Sequence, residues 1–196
     1  MSSYTIPTVI TRTPEGERAI DIFSRLLEDR IVYLGTGIDD SVANSVIAQL
    51  LHLENDNAER PISMYVNSVG GDLSSILAIY DTMQLVRAPV ETTCVGQVVA
   101  GSAILLAGGA PGKRAMLPHG RVVVHPPVVE GGRATIPDLI IEADEIERTR
   151  HQIDSILARH TGKPLAEIRL DTERKLVLDA RAAVDYGMAD KIVGEE

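Results

Sequence analysis

The stretch from Thr92 to Gly112 carries no formal charge, and no other segment restricts the fold of this chain as strongly. A run so apolar must be buried in protein or in lipid. Gln97 and five glycines make it a poor bilayer span, so it reads as a buried strand, a tight turn and a buried helix. Val90 to Val95 supplies the strand after Pro89, and Gly96-Gln97-Val98-Val99-Ala100-Gly101-Ser102-Ala103 carries the chain through the turn. The helix then runs from Ala100 to about Ala107, where Gly108-Gly109 stops it.

The flanking sequence repeats the same alternation. Ile31 to Gly35, Ile62 to Asn67 and Arg121 to Val124 read as strands. Asp40 or Ser41 can cap a helix whose Val42, Val46, Leu50 and Leu53 follow helical spacing. A second helix spans Leu73 to Val86 and is broken by Pro89. Strand, helix and strand in turn predict an α/β fold. Residues 1–18 read as irregular. Glu130-Gly131-Gly132 reads as a flexible joint, and beyond it Pro137 suits the first turn of a helix reaching about His160. Leu139, Ile140, Ala143, Ile146, Ile153 and Leu157 stripe that helix, with acidic residues early and basic ones late. The stripe needs a partner, either another chain or the rest of its own domain.

At 196 residues, the chain suits one domain with a small excursion. One Phe, five Tyr and no Trp leave the core to aliphatic residues. A net charge of −9 argues against a nucleic-acid partner, because phosphate binding needs a basic face. Cys94 is the only cysteine, so no internal disulfide forms, which is consistent with a reducing compartment. The first residues have neither the basic start nor the apolar run of a signal peptide, and the expected location is the cytoplasm. No metal or cofactor motif stands out.

A tight turn opening a helix is where an acyl-transfer enzyme places its nucleophile, because unpaired N–H groups and the helix dipole favour negative charge there. His125 ends a strand and is held by Pro126 and Pro127. Asp171 follows later, so two members of a Ser-His-Asp set have candidates. Position 100, where a hydroxyl belongs, holds Ala. Taken alone, His125 reads first as an ordinary strand-end histidine, Asp171 as a helix-capping residue and Gly70-Gly71 as a simple strand-to-helix turn.

Further blocks decide between these readings: Gly16-Glu17-Arg18, Asp21 to Leu27, Ser68-Val69-Gly70-Gly71, Ala78 to Gln84, Gly112-Lys113-Arg114, Leu117-Pro118, His125-Pro126-Pro127 and Asp171-Thr172-Glu173-Arg174. In this order they resemble the ClpP family, the proteolytic subunits of the ATP-dependent Clp protease, over nearly the whole chain. The resemblance implies a ClpP/crotonase-like α/β fold of repeated β-β-α units. It divides the chain into a pore-loop segment (1–18), a head (19–129 and 161–196) and a protruding handle (130–160). It places the nucleophile on Ala100, the general base on His125 and the orienting carboxylate on Asp171. The oxyanion donors would be the N–H groups of Gly71 and Gly101, and Tyr65 and Leu85 would belong to the pocket that docks the partner ATPase. No cofactor or metal is implied.

The implied partners are further copies or paralogous subunits in seven-membered rings stacked as a tetradecamer, an AAA+ unfoldase, and unfolded polypeptide as substrate. The implied activity is serine endopeptidase, silent here because Ala100 has no hydroxyl. Two origins fit: a deliberate Ser-to-Ala replacement, or a naturally inactive scaffold subunit of a mixed ring. Several positions depart from the family pattern. Val69 stands for Pro, Asp72 for a small polar residue, Pro126 for Gln and Leu170 for an Arg at the ring interface; Ser63 and Leu85 stand for aromatic residues of the docking pocket. Two rival readings remain: a crotonase-like acyl-CoA enzyme using Gly71 and Gly101, and a peptidase using Ser102, whose side chain would point about 200° away from that of Ala100 on a helix.

Overall fold

A computed structural model describes residues 6–13, 16–126 and 135–194. Its centre is a parallel sheet of β3 (Ile31–Leu34), β4 (Ile62–Ser68), β5 (Val90–Val99), β6 (Arg114–Met116) and β9 (Lys191–Ile192), side by side in that order. Parallel neighbours need crossovers, and α2 (Asp40–Asp56), α3 (Leu73–Leu85) and α4 (Ser102–Ala107) supply them. The α/β class expected from the sequence therefore holds.

β5 forks. Its first half pairs with β6 (Thr92 opposite Arg114) and its second half with β7 (Arg121–Val124; Gln97 opposite Arg121). β7 in turn pairs antiparallel with β8 (Leu176–Asp179). The fork leaves the end of β5 and the end of β7 together, with α4 springing from the first.

Along β4 buried and half-buried residues alternate, so Ile62, Met64 and Val66 enter one core with Val46, Leu50 and Leu53 of α2 and Ile76, Ile79 and Met83 of α3. Every residue of α4 is buried. Ile104, Leu105 and Leu106 each contribute about 1.5–3 kcal/mol by leaving water, and Thr92 donates its hydroxyl to Leu106 O at 2.8 Å. The uncharged run is thus the middle of the molecule. Among the described residues no helix is long and apolar enough to cross a membrane.

Several expectations are corrected. Residues 8–13 and 16–21 are not irregular: β1 (Thr8–Thr13) and β2 (Gly16–Asp21) pair antiparallel, with β-branched residues dominating β1. The third strand extends to Val99 rather than Val95. The cap of α2 is Asp39, whose carboxylate accepts Val42 N–H at 2.8 Å. Asp40 instead accepts the Ser75 hydroxyl and ties α2 to α3. The joint at Glu130-Gly131-Gly132 lies outside the described residues, as does the expected boundary near residue 130.

α1 (Ile22–Glu28) leads from the hairpin into the sheet. α5 (Ile136–Thr161) begins with Pro137 in its first turn and ends on left-handed Gly162. Leu157 is buried at its base, whereas Ile136, Leu139, Ile140 and Ile141 near its start are all at least 48% exposed. The stripe therefore splits: one end packs on the domain and the other has no cover among the described residues. α6 (Leu165–Asp171) and α7 (Ala180–Tyr186) complete the fold.

Candidate active site

The site forms where three chain reversals meet. Val99 is the last residue of β5, and Gly101 already precedes α4, so a single residue turns strand into helix. That residue, Ala100, has φ of 53°, in the left-handed region. For a residue with a Cβ, this conformation costs about 1–2 kcal/mol and persists only where the surroundings enforce it. Here Ala100 N–H is held by Val123 O at 2.8 Å, continuing the β5–β7 pairing one step past the strand.

His125 follows directly after β7 and so emerges beside Ala100. Both line one cavity of about 420 Å³, with Gly71, Asp72, Leu73, Gly101, Val69, Pro126 and Ile153. Gly71 enters from the turn between β4 and α3, pinned by a bridge to Ile38. Its φ is 154°, and a Cβ there would lie 2.0 Å from Ile38 O, so only glycine fits. The N–H groups of Gly71 and Gly101 donate to no group among the described residues. Asp72, which stands for a small polar residue of the family pattern, is the N-cap of α3. It accepts Ser74 Oγ at 2.6 Å and Ser75 N–H at 2.8 Å, which hold its carboxyl below its ordinary value.

A Clp protease family model matches residues 14–196. The chain belongs to the Clp protease family. Its relatives include the "ATP-dependent Clp protease proteolytic subunit 1" of Nocardia farcinica, 57% identical over 98% of each chain. Proteolytic subunit 2 of Streptomyces avermitilis is 52% identical over 98% of this chain and 96% of its own. Proteolytic subunit 4 of Rhodococcus jostii is 51% identical over 98% and 99%.

In this Clp protease family member the structure brings Ala100, Gly101, Gly71 and His125 to one cavity, which Asp171 does not line. His125 Nδ1 lies 2.9 Å from Pro126 O. Asp171, at the end of α6, accepts the Tyr186 hydroxyl at 2.8 Å and shares no hydrogen bond with His125. Burial and then the Asp171 carboxylate push the Tyr186 phenol well above its ordinary value, so Tyr186 remains a donor to Asp171 across the physiological range.

Ser102 is fully buried. Its hydroxyl accepts Val99 N–H at 2.8 Å and faces the carbonyls of Val99 at 2.8 Å and Ser68 at 3.2 Å. It fastens the turn and has no path to substrate. The two docking-pocket residues lie elsewhere: Tyr65 is half-buried on β4 beside Tyr33, and Leu85 is 73% exposed at the end of α3. Neither lines the Ala100–His125 cavity.

Sequence reasoning missed a second group. A second, small void of about 10 Å³ is lined by Val124, His125, Pro126, Arg150, Ile153, Asp154 and Thr172. Asp154 is 3% exposed. A charged residue between Ile153 and Leu157, on the apolar stripe of α5, was the available signal. Among the described residues no group of three or more His, Cys, Asp or Glu is arranged to hold a metal ion.

Proposed function

We propose that this chain is a proteolytic subunit of an ATP-dependent Clp-type protease whose own active site is silent. The chemistry is that of a serine endopeptidase acting on unfolded polypeptide delivered by an AAA+ unfoldase. The carrying observation is Ala100 on a strained strand-to-helix turn, in one cavity with His125 and the unengaged N–H groups of Gly71 and Gly101. A hydroxyl at position 100 would have an imidazole beside it as base, and the two glycine N–H groups would receive the carbonyl oxygen as it gains charge. Asp171 is assigned as the acid that orients His125 once it leaves Tyr186. With a methyl group at position 100 no acyl-enzyme forms, yet the cavity keeps its capacity to hold a peptide.

Assembly follows from the exposed apolar start of α5. Ile136, Leu139, Ile140 and Ile141 on a projecting handle (130–160) suit a facing handle, so seven-membered rings stack in pairs as a tetradecamer. The hairpin near the N-terminus is assigned to the entrance pore, and Tyr65 and Leu85 to the surface that docks the unfoldase. The place of work is the cytoplasm.

A second reading has one observation in its favour: the assembly surface is present while the nucleophile is not. In that reading the chain is a natural scaffold subunit that acts only in rings with active paralogues. Restoring Ala100→Ser and assaying a fluorogenic peptide, alone and mixed with active family subunits, tests both. Hydrolysis by the restored chain supports the silent peptidase. Hydrolysis in neither sample sinks the peptidase assignment. Native mass spectrometry showing only mixed complexes selects the scaffold.

A further inference from the structure

The lining of the Ala100–His125 cavity is unequal in charge. Val69, Leu73, Pro126 and Ile153 make it largely apolar. Among its described lining residues Asp72 carries the one carboxylate, and none is Lys or Arg. Capping α3 engages only half of that carboxylate. Ser74 Oγ and Ser75 N–H both donate to Oδ2, at 2.6 and 2.8 Å, and Oδ1 accepts no hydrogen bond among the described residues. The bonds from Ser74 and then Ser75 hold the carboxyl below its ordinary value, and no neighbouring cation contributes. Asp72 is exposed, so at neutral pH the cavity wall bears a negative charge without a partner ion among the described residues.

The fold does not require that charge. Asparagine or serine caps a helix about as well as aspartate, so the carboxylate is surplus to the turn it closes. Its reach is set by the size of the cavity. A sphere of 420 Å³ is about 9 Å across, which is about one screening length at physiological salt. A charged group seated anywhere in the cavity therefore feels Asp72, whether or not the two touch. We infer that Asp72 is a specificity-determining residue of the peptide cavity: it favours a segment with a lysine or arginine side chain and disfavours one with a carboxylate.

The rest of the lining suits the same ligand. Lysine and arginine lay an aliphatic stem along apolar surface and keep the cationic head in water or on an anion. Leu73 and Ile153 are half-buried and offer such a surface. The inference rests on the reading that this cavity holds peptide, but not on a hydroxyl at residue 100.

With Ala at residue 100, binding is measured on the full chain without cleavage. Unstructured peptides that differ only in a central Lys, Gln or Glu, each with an uncharged dye, are titrated by fluorescence anisotropy. The Lys peptide should bind about fivefold tighter than the Glu peptide, with Gln between them and the spread narrowing as salt rises. A net charge of −9 draws basic peptides to the whole surface, so the deciding quantity is the change on mutation. Asp72→Asn and Asp72→Ser both keep a cap and should bring the affinities to within about twofold of one another. In an Ala100→Ser background the kcat/KM ratios should collapse in the same way; a ratio between substrates cancels any effect of Asp72 on the oxyanion. Thermal melting establishes that each variant is folded. The inference is overturned if the parent binds the peptides alike, or if a folded variant keeps the parent's spread. Absence of any binding by the parent, together with no cleavage by the restored chain, sinks the peptide cavity of the proposed function and this inference with it. Equal binding of the peptides sinks this inference alone.

Discussion

Under the proposed function, Ala100→Ser makes a quantitative prediction, because the hydrogen bonds of the two proposed triad partners are known. In a comparable serine peptidase, loss of the nucleophile lowers turnover about 2 × 10⁶-fold, and loss of the acid alone about 3 × 10⁴-fold. Here the restored hydroxyl would meet His125, whose Nδ1 is paired with Pro126 O rather than with Asp171. Asp171 is occupied by Tyr186 at 2.8 Å. The isolated subunit should therefore recover only the quotient of the two factors, about 10²-fold over the parent. Assembly or Tyr186→Phe, by freeing Asp171, should raise it further. Fluorogenic peptide hydrolysis measures the rate, and a fluorophosphonate probe confirms that residue 100 is the site labelled. A gain near 10⁶ in the isolated subunit would refute the disengaged acid. No gain and no labelling, in a variant that melts like the parent, would refute the placement of the nucleophile at residue 100.

Three further outcomes follow from packing. Ser102→Ala should lower stability by about 1–3 kcal/mol, since Val99 N–H loses its acceptor, and should leave fluorophosphonate labelling of the Ala100→Ser chain at residue 100; denaturant melts and peptide mapping check both. Asp190→Asn should destabilise by about 3–5 kcal/mol, because Arg114 is 8% exposed and its guanidinium meets both Asp190 oxygens, at 3.0 and 2.6 Å. Burial alone would raise the Asp190 carboxyl, but the Arg114 bonds outweigh it and leave it lowered from 3.8; the stability gap between parent and variant should thus be full above that value and shrink as pH falls through the lower folded-state value. Leu139→Lys with Ile140→Lys should leave the melting temperature of the subunit within scatter, both being exposed, and reduce its assembly in size-exclusion light scattering.

Periodicity carried the core well. Val46, Leu50 and Leu53 are buried as their spacing requires, and so is the whole of α4. What escaped sequence reading depended on long-range partners. β6 is only three residues long and exists because β5 offers it an edge. Residues 8–13 and 16–21 lack an apolar face but pair with one another. The approach of His125 to Ala100 was legible only through family blocks, because it arises from the forked β5 and the step from Val123 to Ala100. The engagement of Asp171 with Tyr186, fifteen residues on, had no local signal at all. Asp72 did have one: an acid directly after Gly70-Gly71 and before an apolar helix is a capping pattern, and the structure uses it so.

The turn at Ala100 also bears on how the site keeps its shape with no hydroxyl at residue 100. A left-handed alanine costs about 1–2 kcal/mol, and nothing catalytic offsets that here. The restraint comes from neighbours that do not involve the missing hydroxyl. Val99 pairs with Val123, Ala100 N–H reaches Val123 O, and the Ser102 hydroxyl clasps Val99 from within the helix. The buried Ile104, Leu105 and Leu106 then fix where α4 lies. Since the sheet and α4 hold the turn, exchanging Ser and Ala at residue 100 in either direction changes chemistry without changing geometry. Under the proposed function, such a subunit would present its peptide cavity and docking surfaces in a ring while contributing no cleavage, and a single methyl-to-hydroxymethyl change would separate the two roles.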